Sequence, residues 1–267
     1  MKVLYAGDSA ILAMLGLEGA EVYPVVDQVW DAGTHLQGAL EGGGIEVARM
    51  PSHVAYSDFP ETAEGLSEYD AVILSDIGHD TLVTYPGERR YRVPMGPNRL
   101  KEIARYVESG GGLIYCGGYF TYQGHYGKGR WHGTPVAKIL PLEILPLPDD
   151  RIESPEGAPL SEIDDGHPVT SGMDWSDPPV FMGYNRAGGL QNGGRLLGRI
   201  GDEGDPFLAV GEHGRGRVIA ITSDPAPHWG SDFVRWPHYA QFWNQAARWV
   251  SGADGEKHER EEDETHV

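Results

Sequence analysis

Apolar side chains fall along this chain in short runs separated by glycine and proline. Lys2 to Ala6 (KVLYA) is apolar and is closed by Gly7-Asp8-Ser9, the pattern of a buried first strand with a loop at its carboxyl end. Thr34 to Leu40 predicts a short helix, with Thr34 as candidate N-cap and Gly42-Gly43-Gly44 as its stop. Ile45 to Met50 (IEVARM) alternates and reads as a second strand. Asp70 to Ser75 (DAVILS) is apolar almost throughout, as a strand covered on both faces should be. Asn98 then caps a helix whose Leu100, Ile103, Ala104, Tyr106 and Val107 share one face. Gly110-Gly111-Gly112 ends it, Leu113 to Cys116 forms a strand, and Gly117-Gly118 turns the chain. Helix, glycine stop, buried strand and glycine turn in that order make a parallel α/β unit.

From Tyr119 to Pro148 the periodicity disappears among glycines, aromatics and prolines, and residues 150–190 read as a long polar excursion over the surface. Strands return at Arg195 to Ile200, Pro206 to Gly211 and Gly216 to Thr222, the last two as a hairpin or as neighbours. Phe233 to Val250 predicts the final helix, with Tyr239, Phe242, Trp243, Ala246, Ala247 and Val250 turned inward. The fold class that follows is α/β, a three-layer parallel sheet with helices on both faces.

The 267 residues suffice for a single α/β domain over residues 1–251. The remaining 252–267 (GADGEKHEREEDETHV) is acidic, lacks apolar periodicity and is expected to be a disordered tail. No run approaches the roughly 20 apolar residues of a membrane span, and the N-terminus enters a strand rather than a signal peptide, so the expectation is a cytoplasmic chain without a membrane partner. One cysteine leaves no intramolecular disulfide and no thiolate-rich metal site. A net charge of −19 argues against nucleic acid, whose phosphates would be repelled over most of the surface. Acidic residues spread in this way fit a GC-rich genome or a salt-adapted host.

Three segments carry a family likeness: RLKEIARYVESGGGLIYCGGYFTYQG (Arg99 to Gly124) with GKGRWHGTPVAKILPLEI following, VFMGYNRAGGL (Val180 to Leu190), and GRVIAITSDPAPHWGSDFVRWPHYAQFWNQAARWV (Gly216 to Val250). With the opening strand and DAVILSDIG, they make the chain resemble the class I glutamine-amidotransferase-like proteins, related in fold to the ThuA-like group. The resemblance implies a flavodoxin-like sheet. It also implies a cysteine nucleophile at a strand-to-helix elbow (Gly-x-Cys-x-Gly) working with a His-x-Glu pair. Here Ile114 stands two places before Cys116, and Gly230 stands two places after His228, so neither motif is complete.

The candidate chemistry gathers at the carboxyl edge of the predicted sheet, where parallel α/β folds bind ligands. Cys116 is the candidate nucleophile, provided a helix N-terminus and His228 lower its pKa and amides near Gly117 and Gly118 receive an oxyanion. Set against this is an inert, buried cysteine. His228 lies in a proline-flanked loop (DPAPHWG), with Asp224 to orient it and Trp229 beside it. Asp8, Ser9 and Asp76 follow strands and could act as bases or bind substrate hydroxyls, or could simply make Asx-turns. Tyr119 begins an aromatic, polar stretch, with Tyr122 and Trp131, that suits either a sugar-like ligand or an oligomer interface. The family likeness alone adds Tyr184 and Asn185 to the pocket. A metal site built from Asp8, Asp76, His79 and His228 is conceivable; the reading taken is no metal and no cofactor. No phosphate loop or dinucleotide fingerprint is present. The functions in view are cysteine-dependent acyl transfer from a small amide, non-catalytic binding of a small carbohydrate-like molecule, and homo-oligomeric assembly.

Overall fold

The computed structural model describes residues 1–86 and 95–253, apart from the side chains of residues 13 and 24–28. The expected tail therefore lies outside the described residues from position 254 onward. Five parallel strands form the centre: β1 (Lys2–Gly7), β4 (Glu46–Met50), β5 (Ala71–Ser75), β6 (Gly112–Tyr115) and β12 (Gly216–Ile221). Their spatial order is β4-β1-β5-β6-β12, the flavodoxin-like order, with the reversal of direction falling between β1 and β5. Ala71–Ser75 is buried at every position because helices cover both faces.

The sheet is not wholly parallel. β11 (Asp205–His213) and β10 (Arg195–Ile200) continue it antiparallel beyond β12, and β8 (Leu160–Ser161) closes that edge. Residues 150–190 are thus more than a surface excursion. They supply β8, and β7 (Arg151–Ala158) pairs with β9 (Phe181–Asn185) in a second small sheet. Val169, Phe181 and Tyr184 from this stretch are buried in the core. Polar, proline-rich composition hid these strands because their apolar positions are isolated rather than periodic.

The helices divide between the two faces. On one, α1 (Thr34–Gly42) and α6 (Tyr239–Val250) cover a core that includes Tyr5, Phe242 and Trp243; on the other, α5 (Arg99–Glu108) packs Leu100, Ile103, Tyr106 and Val107 inward. Asn98 caps α5, its side chain accepting from the amides of Leu100 and Lys101. Thr34 is not a cap: Gly33 holds that position without a side-chain bond, and Thr34 is the first helical residue. The last helix begins at Tyr239 rather than Phe233. Pro237 disfavours helical backbone at Trp236, which is extended (φ −62°, ψ 131°), so 233–235 form only a 3₁₀ turn.

Between β1 and α1, where the apolar pattern names no element, β2 (Ser9–Glu18) and β3 (Glu21–Asp31) form a separate antiparallel hairpin. Its base rests near α2 (Ser52–Asp58), where the Ser52 amide donates to Ser9 Oγ at 2.6 Å, and the Ala32 amide closes it onto the Asp8 carbonyl.

Candidate functional site

The β1/β5 reversal brings two aspartates to one corner through strained backbone. Gly7 has φ +116°, and a Cβ there would stand 1.7 Å from the Ser75 carbonyl oxygen, so only glycine lets the two strand ends approach. Asp8 (φ 47°) and Asp76 (φ 42°) then both take left-handed backbone, a conformation that non-glycine residues adopt rarely and usually for a reason. Asp8 is buried; it accepts from the Tyr5 hydroxyl and, at 3.1 Å, from the Ser75 hydroxyl. Burial pushes its carboxyl up to about 7, with the charge of Asp76 adding to the shift. Arg49 stacks 4.3 Å from the Tyr5 ring and donates to the Gly7 carbonyl and to Asp31, holding the back of this corner.

Asp76 accepts from the Phe120 amide at 2.7 Å. Burial nevertheless raises it to about 6, the amides working in the opposite direction and the charge of Asp224 reinforcing the rise. Gly118 lies against it so closely that a Cβ would come within 2.7 Å of the carboxylate.

Asp224, just past β12, is buried and accepts from the amides of Ala226, Trp229 and Gly230 as well as from His228 Nδ1 at 2.8 Å. Three amides fix the carboxylate, and the carboxylate fixes the ring. Burial alone would depress the His228 pKa; the bond to Asp224 and the charges of Asp224 and Asp76 outweigh it, so the pKa is raised. The His228 side chain stays 32% exposed, unlike the aspartate behind it, and can therefore meet a ligand. Tyr119 meets its ring edge-on at 4.6 Å, and Trp229 stacks beside it at 5.3 Å.

The surroundings of Cys116 are those of a core residue. It is fully buried in the core beside the Ser75 side chain, and burial, with Asp8 and Asp224 adding, pushes its thiol well above the usual range. The chain beyond it runs through bends rather than a helix, so no helix N-terminus faces the sulfur. The expected oxyanion donors are also committed: the Gly117 amide donates to the Ser223 carbonyl at 3.0 Å, and the Gly118 amide to Asn185 Oδ1 at 2.8 Å. Iodoacetamide at pH 8 is accordingly expected to leave the native chain unmodified and to add one adduct in denaturant. Rapid native labelling in intact-mass spectra would contradict this placement.

Two further residues are used for structure. Asn185 is fully buried, accepts from the Gly118 amide, and donates to the Gly118 carbonyl and to Asp150. Asp150 in turn accepts from the amides of Gln123 and Gly124, so this pair ties down the loop carrying Tyr119. Tyr184 turns to the antiparallel side of the sheet, its hydroxyl donating to Asp205 at 2.8 Å. Tyr122 and Trp131 are fully buried and form neither a sugar platform nor an oligomer face. Ser9 lies with Ser52, Asp76, Phe120, Lys128 and Arg130 around a cavity of about 500 Å³ on the Asp76 side of the corner.

Glu153 escaped the sequence reading. It accepts from the Tyr119 hydroxyl (3.0 Å) and from Trp229 Nε1 (3.1 Å), while Arg151 bonds it and covers the Tyr119 ring at 4.5 Å. The only signal was the charged run Asp149-Asp150-Arg151-Ile152-Glu153, which reads as solvated loop. Among the described residues, no three His, Cys, Asp or Glu side chains group so as to hold a metal ion. His79, one of the conceivable ligands, instead contacts Asp80 at 2.9 Å.

The mostly parallel, flavodoxin-ordered sheet, with Asp8 and Asp76 past β1 and β5 and His228 past β12, is an α/β arrangement consistent with the class I glutamine-amidotransferase-like fold. The chain belongs to the family described as "Putative glutamine amidotransferase", which matches residues 2–252. It is similar to the cytoplasmic proteins STM3548 and STM1381 of Salmonella typhimurium. Each is 34% identical, with 94% of this chain and 99% of the relative covered, at TM-scores of 0.84 and 0.83. A ThuA-like protein of Bacteroides uniformis shares the fold at 16% identity and TM-score 0.53, covering 93% of this chain and 90% of its own. No curated protein matches. No helix among the described residues is long and apolar enough to cross a membrane.

Proposed function

We propose that the chain is a cytoplasmic enzyme that binds a small polar molecule at the β1/β5 corner and moves a proton on it through His228. The observation that carries this is a partly exposed histidine bonded at 2.8 Å to a buried, amide-fixed aspartate. Asp224 holds the ring with Nδ1 turned inward, which leaves Nε2 to exchange a proton with a ligand. Asp76, raised to about 6 and within reach of the His228 charge, is the natural partner acid or base. Tyr119, partly exposed at the edge of the His228 ring, gives the ligand an aromatic wall, with the buried Trp229 packed behind that ring, and such a wall suits a sugar-like or amide-bearing molecule.

Cysteine-dependent acyl transfer, which the family description suggests, has less support. It needs a thiolate where burial disfavours one, and oxyanion donors where the amides are already bonded. The test is thermal stabilisation by a panel of glutamine, simple amides and mono- and disaccharides. A compound that stabilises the wild type and Cys116→Ala but not His228→Ala supports the proposal. Stabilisation lost in Cys116→Ala and kept in His228→Ala would overturn it.

A further inference from the structure

The cavity of about 500 Å³ on the Asp76 side of the corner has more hydrogen-bond donors than acceptors left to use. Its two carboxylates are engaged: Asp80 contacts His79 Nδ1 and accepts from Arg130 Nη1 at 3.1 Å, and Asp76 accepts from the Phe120 amide. Ser9 Oγ already accepts from the Ser52 amide, so what it has left to offer is its own hydrogen. The hydroxyls of Ser52 and Thr81 bond nothing among the described residues. The same holds for the Lys128 ammonium and for Nε and Nη2 of Arg130. A lining of this kind is completed by a ligand rich in acceptors.

The charges narrow the choice. Arg130 and Asp80 offset each other, and the charge that favours an ionised Asp76 is that of His228. Lys128 is left as the cation of the lining without a counter-ion among the described residues. One positive charge matches a carboxylate; a phosphate dianion would bring its second charge beside Asp76 and Asp80. The chain as a whole carries −19 and repels anions, so an acid is held here only by these local donors.

The backbone that presents the two cations is closely fixed. Gly124, Tyr126, Gly127 and Arg130 all have positive φ, and strain of this kind persists where the surroundings over-determine it, as they do at ligand clamps. Only glycine fits at 129, between the two cations. A Cβ there would stand 2.8 to 3.0 Å from the carbonyl oxygens of Tyr122, Gln123 and Thr121. The Gly129 carbonyl in turn accepts from the His79 amide at 3.1 Å, which ties Lys128 and Arg130 to the segment following Asp76.

We propose, building on the proton-moving role of His228 and Asp76, that this cavity seats a carboxylate and that the ligand is a small acid whose other end, a hydroxyl or an amide, reaches Asp76. Lys128 pairs with the carboxylate, Arg130 and the serine hydroxyls donate to it, and the exposed Phe120 ring covers the carbon chain between the two ends. Lys128 and Arg130 are then specificity-determining residues, and the volume lies within the roughly 300–1,000 Å³ usual for small-molecule sites.

Isothermal titration calorimetry at pH 7 and constant ionic strength, comparing glucuronate with glucose and glutaramate with pentanamide, tests this. In at least one pair the acid is expected to bind about ten- to a hundredfold more tightly than its neutral partner. Lys128→Met should abolish that advantage and leave the neutral compound unaffected, while Lys128→Arg should keep most of it; the side chain is exposed, so folding is not at stake. Equal affinities within both pairs, no binding of either acid, or an advantage that survives Lys128→Met would overturn the proposal. If binding in those cases is still lost in His228→Ala, the role of His228 stands without it. Acid binding that needs Lys128 yet persists in His228→Ala supports the carboxylate seat and overturns the role of His228 instead. Glucose 6-phosphate binding more tightly than glucuronate through Lys128 would overturn the choice of a carboxylate in favour of a phosphate.

Discussion

Asp8→Asn is expected to make the chain more stable at pH 8, by about 2–4 kcal/mol, and to flatten its dependence on pH. Folding raises the Asp8 carboxyl from 3.8 to about 7, so between those values the folded chain holds a proton that the unfolded chain has released. Stability therefore falls as pH rises through that window and levels off above about 7. A rise of about three units corresponds to roughly 4 kcal/mol at about 1.4 kcal/mol per unit, and the substitution recovers the part not lost in poorer hydrogen bonding. Asp76, raised to about 6, bends the curve in the same direction, and its own shift should relax when the neighbouring charge is removed. His228 adds to the trend, because a raised histidine also loses its stabilising proton as pH climbs. The asparagine still accepts from one of the Tyr5 and Ser75 hydroxyls that now bond the carboxyl. Urea denaturation of both proteins from pH 5 to pH 8 measures the effect. Identical slopes in the two would mean that Asp8 is ionised in the folded chain at pH 5, contrary to its burial.

The strained aspartates explain why the corner was partly legible in the sequence. A charged residue immediately after a run such as KVLYAG or AVILS is conspicuous, because parallel strands expose side chains only at their ends. The same logic found Asp224 and His228 after Gly216 to Thr222. It could not find Glu153, Asp150 or the structural use of Asn185. Their roles come from β7 and β9, whose pairing runs from Arg151 with Asn185 to Ala158 with Phe181 and leaves only scattered apolar side chains to mark it. Cys116 stays ambiguous in the sequence. A lone cysteine between a strand and two glycines looks like a nucleophile, yet the glycines are there for packing: a Cβ at Gly117 would meet the Thr222 carbonyl oxygen at 2.3 Å. The sequence pattern was the same for either use, and only the third dimension separates them. The hairpin arm was missed because its apolar residues face water on both sides, so no solvent-facing polar alternation marks its strands.

Trp131→Ala should be the most damaging single change in the loop that builds the site, costing about 3–5 kcal/mol. The indole is fully buried, meets Tyr115 edge-on at 5.2 Å, and donates Nε1 to the carbonyls of Ile77 and Phe120 at 3.0 and 3.2 Å. Those carbonyls belong to the two segments that form the corner, the one following Asp76 and the one whose Phe120 amide holds the Asp76 carboxylate. Alanine removes the ring from the core and strands both carbonyls. Trp131→Phe keeps most of the apolar contact and loses only the donor, so its cost should be that of the unsatisfied acceptors, about 1–3 kcal/mol. The difference between the two variants thus separates packing from hydrogen bonding at one position. With Phe120 released, Asp76 loses an amide that favours its charged form, and its carboxyl should rise further above 6. Chemical denaturation of the three proteins gives the energies, and a carboxyl ¹³C titration of Asp76 gives the shift. A Trp131→Ala protein within 1 kcal/mol of wild type would mean that the loop is not anchored by the indole. An unshifted Asp76 in Trp131→Phe would mean that the Phe120 amide is positioned by some other part of the loop.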